Sequence, residues 1–283
     1  MTIHPASGEY GIWFRRTDVR SANALIPARW DAVVQSPLCT KIQNSAGVTV
    51  STIEHVMAAL AGCGIQNALI ELNGPEVPIL DGCASQFVTG LLSKGQRVLN
   101  APVRVIEILK EIEVSEGGAV AKISPSDRFE IEYHIDFEDA AIGRQTKLLN
   151  LANGTFVREL SDSRTFCRQR DIKMMHANGL ARGGDLRNAV VVDGDAILTP
   201  GGFRYADEAV RHKMLDALGD LSLAGAPIFG RYTGNRAGHA MTNKLLRALF
   251  AQPDAFQMIL CDAEAARSLP GVGVCDADIP AVA

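Results

Sequence analysis

The apolar positions of this chain change their period between its two halves. Residues 48–50 read as a short strand leading into Ser51-Thr52-Ile53-Glu54, after which Val56, Met57 and Leu60 recur at helical spacing as far as Gly62. Ser51 with Glu54 three residues on fits a capping box, so the pattern predicts a capped helix. Residues 68–72 read as a strand, Gly74-Pro75 and Asp81-Gly82 bracket a loop, and 86–94 predict a second helix. From Val103 the period falls to two. Val103, Val105 and Ile108 are followed by Ile112, Val114, Val120 and Ile123, then by alternation from Phe129 to Phe137. This predicts an antiparallel sheet with one wet face, and a domain boundary near Asn100-Ala101-Pro102 that divides the chain into 1–100 and 101–283.

Further on, a helix is predicted over 170–178, then a stretch with Gly179, Gly183 and Gly184, then a strand over 189–192. The strongest helix spans 207–224, with Val210, Met214, Ala217, Leu218 and Leu221 on one face. A strand over 228–232 and a helix over 243–251 follow. In each half a histidine-bearing helix ends in a small-residue turn, 61–64 and 224–227, and enters a strand. That hint of duplication points to two similar α+β layers facing each other.

Of the 283 residues, 47% are hydrophobic and 21% charged, which suits one large or two modest domains with a real core. No apolar run approaches the roughly 18–20 residues a bilayer span needs, and the N-terminus has neither a basic nor an apolar signal region. A cytoplasmic protein with no integral membrane segment is expected. Lys and Arg number 28 against 32 Asp and Glu, a net charge of −4, and no basic stripe is gathered, so nucleic acid is not an expected partner. The six cysteines form no C-x-x-C pair and read as reduced, partly buried thiols without a metal.

With six histidines, each can be weighed. His134 shares a strand face with Glu130, Glu132 and Asp136, which is the solvent face; His176 suits the last turn of a helix, and His4 a loop. His212 and Asp216 stand i, i+4 on one helix, and Asp220 continues that face. A surface ion pair is the plain reading. Yet an acid C-terminal to the histidine opposes the helix dipole, and the face adjoins the apolar stripe, so some other benefit is wanted. Glu54-His55 is open in the same way, either as part of a cap or as a zinc ligand beside a general base. His55, His212 and Asp216 with an open fourth position would make a catalytic zinc site. His239, in Gly238-His239-Ala240, is then a candidate general acid. Lys213, Thr165 and Asp81 are candidates for charge stabiliser, oxyanion donor and histidine-orienting carboxylate. Gly271-x-Gly273 is not followed by a helical pattern and reads as a loop rather than a nucleotide site.

Several segments carry a family likeness: Ser51-Thr52-Ile53-Glu54-His55, Pro78-Ile79-Leu80-Asp81-Gly82, Ser163-Arg164-Thr165-Phe166, the run Val210 to Asp220 reading VRHKMLDALGD, and Gly238-His239-Ala240. Together they closely resemble LpxC, the zinc-dependent UDP-3-O-acyl-N-acetylglucosamine deacetylases of lipid A biosynthesis. The resemblance implies an α+β fold of two similar sheet-plus-helix domains packed through their helix layers, with a βαβ insert in the second domain. It implies zinc on His55, His212 and Asp216, Glu54 as general base, His239 as general acid held by Asp81, and Lys213 and Thr165 stabilising the oxyanion. Residues from about 165 to 193 correspond to the passage for the fatty acyl chain, and a monomer is the expected state. Two departures stand out. The family has a strand and a Gly-Leu-His turn ahead of the segment that here reads Gly11 to Asp18, so the first domain is expected to lack its opening strands. That raises a second reading, a truncated homologue that binds zinc and nucleotide sugar but is catalytically impaired. Cys167 also stands where the family has a glycine, a change expected at the mouth of the passage.

Overall fold

In the computed structural model, which describes residues 1–20 and 23–280, the described strands before residue 100 pair with one another and those after it form separate sheets. The first part runs β1 (Thr2–Pro5), β2 (Ile12–Arg16), β3 (Leu25–Pro27), β4 (Val33–Val34), β5 (Lys41–Gln43), β6 (Thr49–Val50), helix α1 (Glu54–Gly62), β7 (Ala68–Leu72) and helix α2 (Ser85–Lys94). It makes a four-stranded sheet ordered β1-β7-β2-β3 and a small sheet ordered β4-β5-β6. His4, expected in a loop, lies instead on β1, paired with β7, and its Nε2 is 2.9 Å from Glu71 Oε2. Polar-apolar mixing in this short edge strand left no period to read.

The second part contains β8 (Arg104–Ile108), β9 (Ile112–Glu116), β10 (Ala119–Ser124), β11 (Phe129–Asp136), β12 (Arg144–Asn150), α3 (Thr155–Glu159), β13 (Phe166–Arg168), α4 (Gln169–Ala177), β14 (Val190–Asp193), β15 (Ala196–Ile197), α5 (Glu208–Leu221), β16 (Ile228–Asn235), α6 (His239–Phe250) and β17 (Phe256–Leu260). Its main sheet has the order β12-β11-β16-β10-β9, with β8 paired to β16 and β17. The period-two signal is plain on β11, where Phe129, Ile131, Tyr133 and Ile135 are buried and Glu130, Glu132 and His134 are not. The sheet is mixed rather than antiparallel as expected: β16 runs antiparallel to β10 and parallel to β11 and β8. A strand that returns from α5 and enters between two existing neighbours takes its direction from the crossover, not from its own residues. β13 and β14 pair in parallel around α4, giving the βαβ insert.

α1 packs along α5, and α5 also packs against α6 and β11. One hydrophobic core runs from Phe14 and Ile26 through Val56 and Leu60 on α1 and Met214 and Leu218 on α5 to Leu245 and Leu249 on α6. The expected single apolar face of α5 is therefore too narrow. Of its 14 residues all but Arg211 and Lys213 are buried, because neighbours cover it on several sides. That envelopment carries His212, Asp216 and Asp220 indoors with the apolar residues.

Two helix starts differ from expectation, and both concern site residues. Ser51 does not cap α1. It bridges to Glu76, its hydroxyl donates to the Pro75 carbonyl at 3.2 Å, and Thr52 turns the chain with φ +58° before α1 opens at Glu54. The Thr52 hydroxyl donates to Glu76 Oε1 at 2.7 Å and helps hold that turn. α6 begins at His239, four residues earlier than the apolar pattern suggested.

Candidate active site

Three helix segments meet at one point: the first turn of α1 with Glu54 and His55, the middle of α5 with His212, Asp216 and Asp220, and the first residue of α6, His239. The i, i+4 spacing on α5 puts His212 Nε2 3.3 Å from Asp216 Oδ1, and His55 Nε2 reaches the same oxygen at 3.5 Å from across the helix interface. The two imidazoles meet edge to face, 5.1 Å between centroids. One ligand atom from each of His55, His212 and Asp216 lies within 4.8 Å of the others, and all three residues are buried.

Hydrogen bonds to neighbouring groups orient part of this cluster and leave two of its buried atoms unpartnered. The Ser163 carbonyl accepts from His212 Nδ1 at 3.0 Å, which leaves the lone pair on Nε2. Lys213 Nζ donates to Asp216 Oδ2 at 2.6 Å, whereas Asp216 Oδ1 is buried with no hydrogen-bond partner, as is His55 Nδ1. The unpartnered Asp216 Oδ1 thus faces the Nε2 atoms of both imidazoles, an arrangement of electron pairs that suits a cation between them. Burial first, against the opposing pull of Asp216, pushes the His212 imidazole down to about 3, so it is neutral as a ligand must be. Asp216 is held well below the usual carboxylate range. Burial would raise it, but the neighbouring His212, Lys213 and His55 outweigh that.

Glu54 and His239 flank the cluster. Glu54 Oε2 accepts the Thr40 backbone N–H at 2.9 Å, and Oε1 lies 4.0 Å from His239 Nε2. Burial lifts the Glu54 carboxyl above its ordinary value, partly offset by His239 and His55. The His239 ring shares its Nδ1 proton with Asp220 Oδ2 at 2.8 Å. Burial alone would lower its pKa, but Asp220 and Glu54 raise it to about 10, so the ring is an imidazolium at neutral pH.

Asp81 is a correction. It was expected to orient His239, but its carboxylate is engaged by Arg204 Nη2 at 3.0 Å and by the Cys83 thiol at 3.2 Å. The orienting carboxylate is Asp220, which the helical spacing had placed on the right face without giving it a role. Thr165 opens the insert: its backbone N–H donates to the Gly82 carbonyl at 2.7 Å and its own carbonyl accepts from Val190. Phe166 beside it sits edge-on to His212, 6.4 Å between centroids, so the insert borders the cluster. Ser163, Arg164 and Glu208 have a structural part that their local sequence does not announce. Glu208, fully buried, accepts from the Arg164 amide, the Arg164 guanidinium and the Arg204 amide, which fixes the segment whose Ser163 carbonyl holds His212. An acidic residue directly before the helix's first apolar run was the available signal. Among the described residues the cysteines are free; burial pushes the Cys63 thiol up to about 12 and the Cys83 thiol up to about 11, so neither is a thiolate at neutral pH. None of the described helices is long and apolar enough to cross a membrane.

Comparison with known proteins gives a consistent result. A family model described as UDP-3-O-acyl N-acetylglycosamine deacetylase matches residues 1–251. The UDP-3-O-acyl-N-acetylglucosamine deacetylase of Phenylobacterium zucineum is 48% identical over 258 residues, covering 91% of this chain and 88% of that protein. Proteins of the same name from Shewanella frigidimarina and Shewanella oneidensis are 44% and 43% identical over 267 residues, each match covering 94% of this chain and 87% of the relative.

Proposed function

Because the chain belongs to the UDP-3-O-acyl N-acetylglycosamine deacetylase family, a family of hydrolases, we propose that it cleaves the acetamide of UDP-3-O-acyl-N-acetylglucosamine with zinc held by His55, His212 and Asp216. The products are acetate and the free glucosamine amine, in the committed step of lipid A biosynthesis. The observation that carries the metal assignment is the buried, unpartnered Asp216 Oδ1 set against the two imidazole Nε2 atoms.

Bound there, zinc would supply Lewis acidity toward the acetamide carbonyl and the attacking water. The remaining work falls to side chains of the chain itself. Glu54, with Oε2 fixed by Thr40, presents Oε1 to take the proton of the attacking water. Lys213, a cation beside the cluster, and Thr165 at the edge of the insert stabilise the negative charge that develops on the carbonyl oxygen. His239, with Nδ1 engaged by Asp220, delivers its proton from Nε2 to the departing nitrogen as the C–N bond breaks. Asp81 has no part in this relay. In the same reading residues 1–100 and 101–283 are two domains that share the cleft, and 165–193 guide the acyl chain, supported by the exposed Met174 and Leu186 along that insert.

The test combines metal analysis with acetate release from UDP-3-O-acyl-N-acetylglucosamine. Purified protein is expected to hold about one zinc, and His212→Ala to lose both metal and turnover. Undiminished zinc in that variant would refute the ligand assignment.

A further inference from the structure

The two proton-transfer groups stand on different helices, Glu54 on α1 and His239 on α6, and one residue outside both helices bonds Glu54 directly and also bonds Asp220, which holds His239. The geometry points to Thr40 as a positioning residue that sets the general base and the general acid together, an inference that rests on the deacetylase reading above. Thr40 lies immediately before β5 in the first part of the chain and is 3% exposed. Its three polar groups are all used. The backbone N–H donates to Glu54 Oε2 at 2.9 Å, the hydroxyl donates to Asp220 Oδ1 at 2.5 Å, and the carbonyl accepts from Ile53 N–H at 3.4 Å.

Each bond has a consequence for the reaction. With Oε2 turned to the Thr40 amide, Oε1 is the oxygen directed toward His239, so the amide of Thr40 orients the carboxylate that acts as base. With Oδ1 taken by Thr40 and Oδ2 by His239 Nδ1, both oxygens of Asp220 are engaged and the carboxylate cannot swing about its own axis. The orientation of the His239 ring, and so the direction of Nε2, then depends on a hydroxyl two residues removed from the chemistry. A buried threonine that merely satisfied its own hydrogen bonds would have no need to span the first part of the chain, α5 and, through Asp220, α6. Productive geometry in such a relay is sensitive to shifts of well under an ångström.

The variants are Thr40→Val, which keeps shape and amide but removes the hydroxyl, Thr40→Ser, which keeps the hydroxyl, and Asp220→Asn alone and with Thr40→Val. The readings are kcat and KM for acetate release, zinc content, thermal midpoint, and the His239 Nδ1 proton resonance of the metal-free protein. We expect Thr40→Val to lose roughly 10- to 100-fold in kcat with KM and zinc near wild type, and Thr40→Ser to recover most of it. In the Asp220→Asn background the further loss is expected to be under about twofold, since the hydroxyl acts through Asp220. The resonance should weaken or exchange faster in Thr40→Val. Wild-type kcat in Thr40→Val, a loss that adds in full to that of Asp220→Asn, or an unaltered resonance overturns the inference. Should Thr40→Val not fold, Thr40→Ala is read in the same way. A wild-type protein that binds zinc but releases no acetate refutes the deacetylase reading instead, and the resonance then decides the Thr40 link by itself.

Discussion

Gly219 of α5 rests on the backbone of Glu54 at the start of α1: a Cβ built at position 219 would stand 2.1 Å from the Glu54 carbonyl oxygen. The obstacle is main chain and not a flexible side chain, so the absence of a side chain here sets how closely α1 and α5 approach. Gly219→Ala is therefore expected to force α1 and α5 apart, to cost about 1–3 kcal/mol in denaturant unfolding, and to weaken zinc binding by separating His55 from His212. A variant with wild-type stability and zinc affinity would show that the interface yields freely.

Glu208 is a second structural key. It is fully buried and serves two backbone amides and a guanidinium. Removing one member of a buried pair leaves the other charge uncompensated, so Glu208→Ala should destabilise by about 3–5 kcal/mol. Because the same contacts hold the Ser163 carbonyl against His212, zinc affinity is expected to fall as well. Calorimetry with a metal titration reads both, and loss of neither would contradict the assignment.

Glu54→Gln separates the base from the metal. In the proposed mechanism Oε1 takes the proton, whereas the donors that would hold zinc are other residues. The expected result is a kcat lower by roughly 10²- to 10⁴-fold with zinc retained. Metal analysis beside single-turnover kinetics distinguishes this from collapse of the site, which would remove both.

His239 also links stability to pH in the metal-free protein. Its pKa rises from 6.5 to about 10 on folding. Between those values the folded state binds the extra proton, so the stabilisation is fully present below 6.5 and is lost as pH climbs through about 10. The thermal midpoint of the wild type should accordingly fall more steeply from pH 7 to 10 than that of His239→Gln. Parallel slopes would mean that the imidazolium is not held by Asp220 and Glu54.

Most of the residues that gather at the candidate site were legible without coordinates. The step of four residues from His212 to Asp216 to Asp220 identified one helical face, and Glu54-His55 marked a second element with complementary chemistry. The fold was legible where burial was one-sided, as on β11. It was not legible for β12 and β17, edge strands with polar or exposed apolar residues on alternate positions, nor for the direction of β16. The capping box at Ser51 misled because Ser51 is held by Pro75 and Glu76, residues outside any local window. Asp81 misled for the same reason, since the guanidinium that claims it belongs to Arg204.

By itself the sequence determined which residue types stand one helical turn apart, because the α-helical rise and rotation are the same in every protein, and it determined the period of each buried strand face. Tertiary structure alone decided partnership: that Asp220 and not Asp81 holds His239, that Thr40 reaches Asp220 from 180 residues away, and that α5 is enclosed rather than half-wet. Those bonds depend on how packed helices present their side chains to one another, and no local spacing encodes the distance between two elements that meet only when the shared core closes around them.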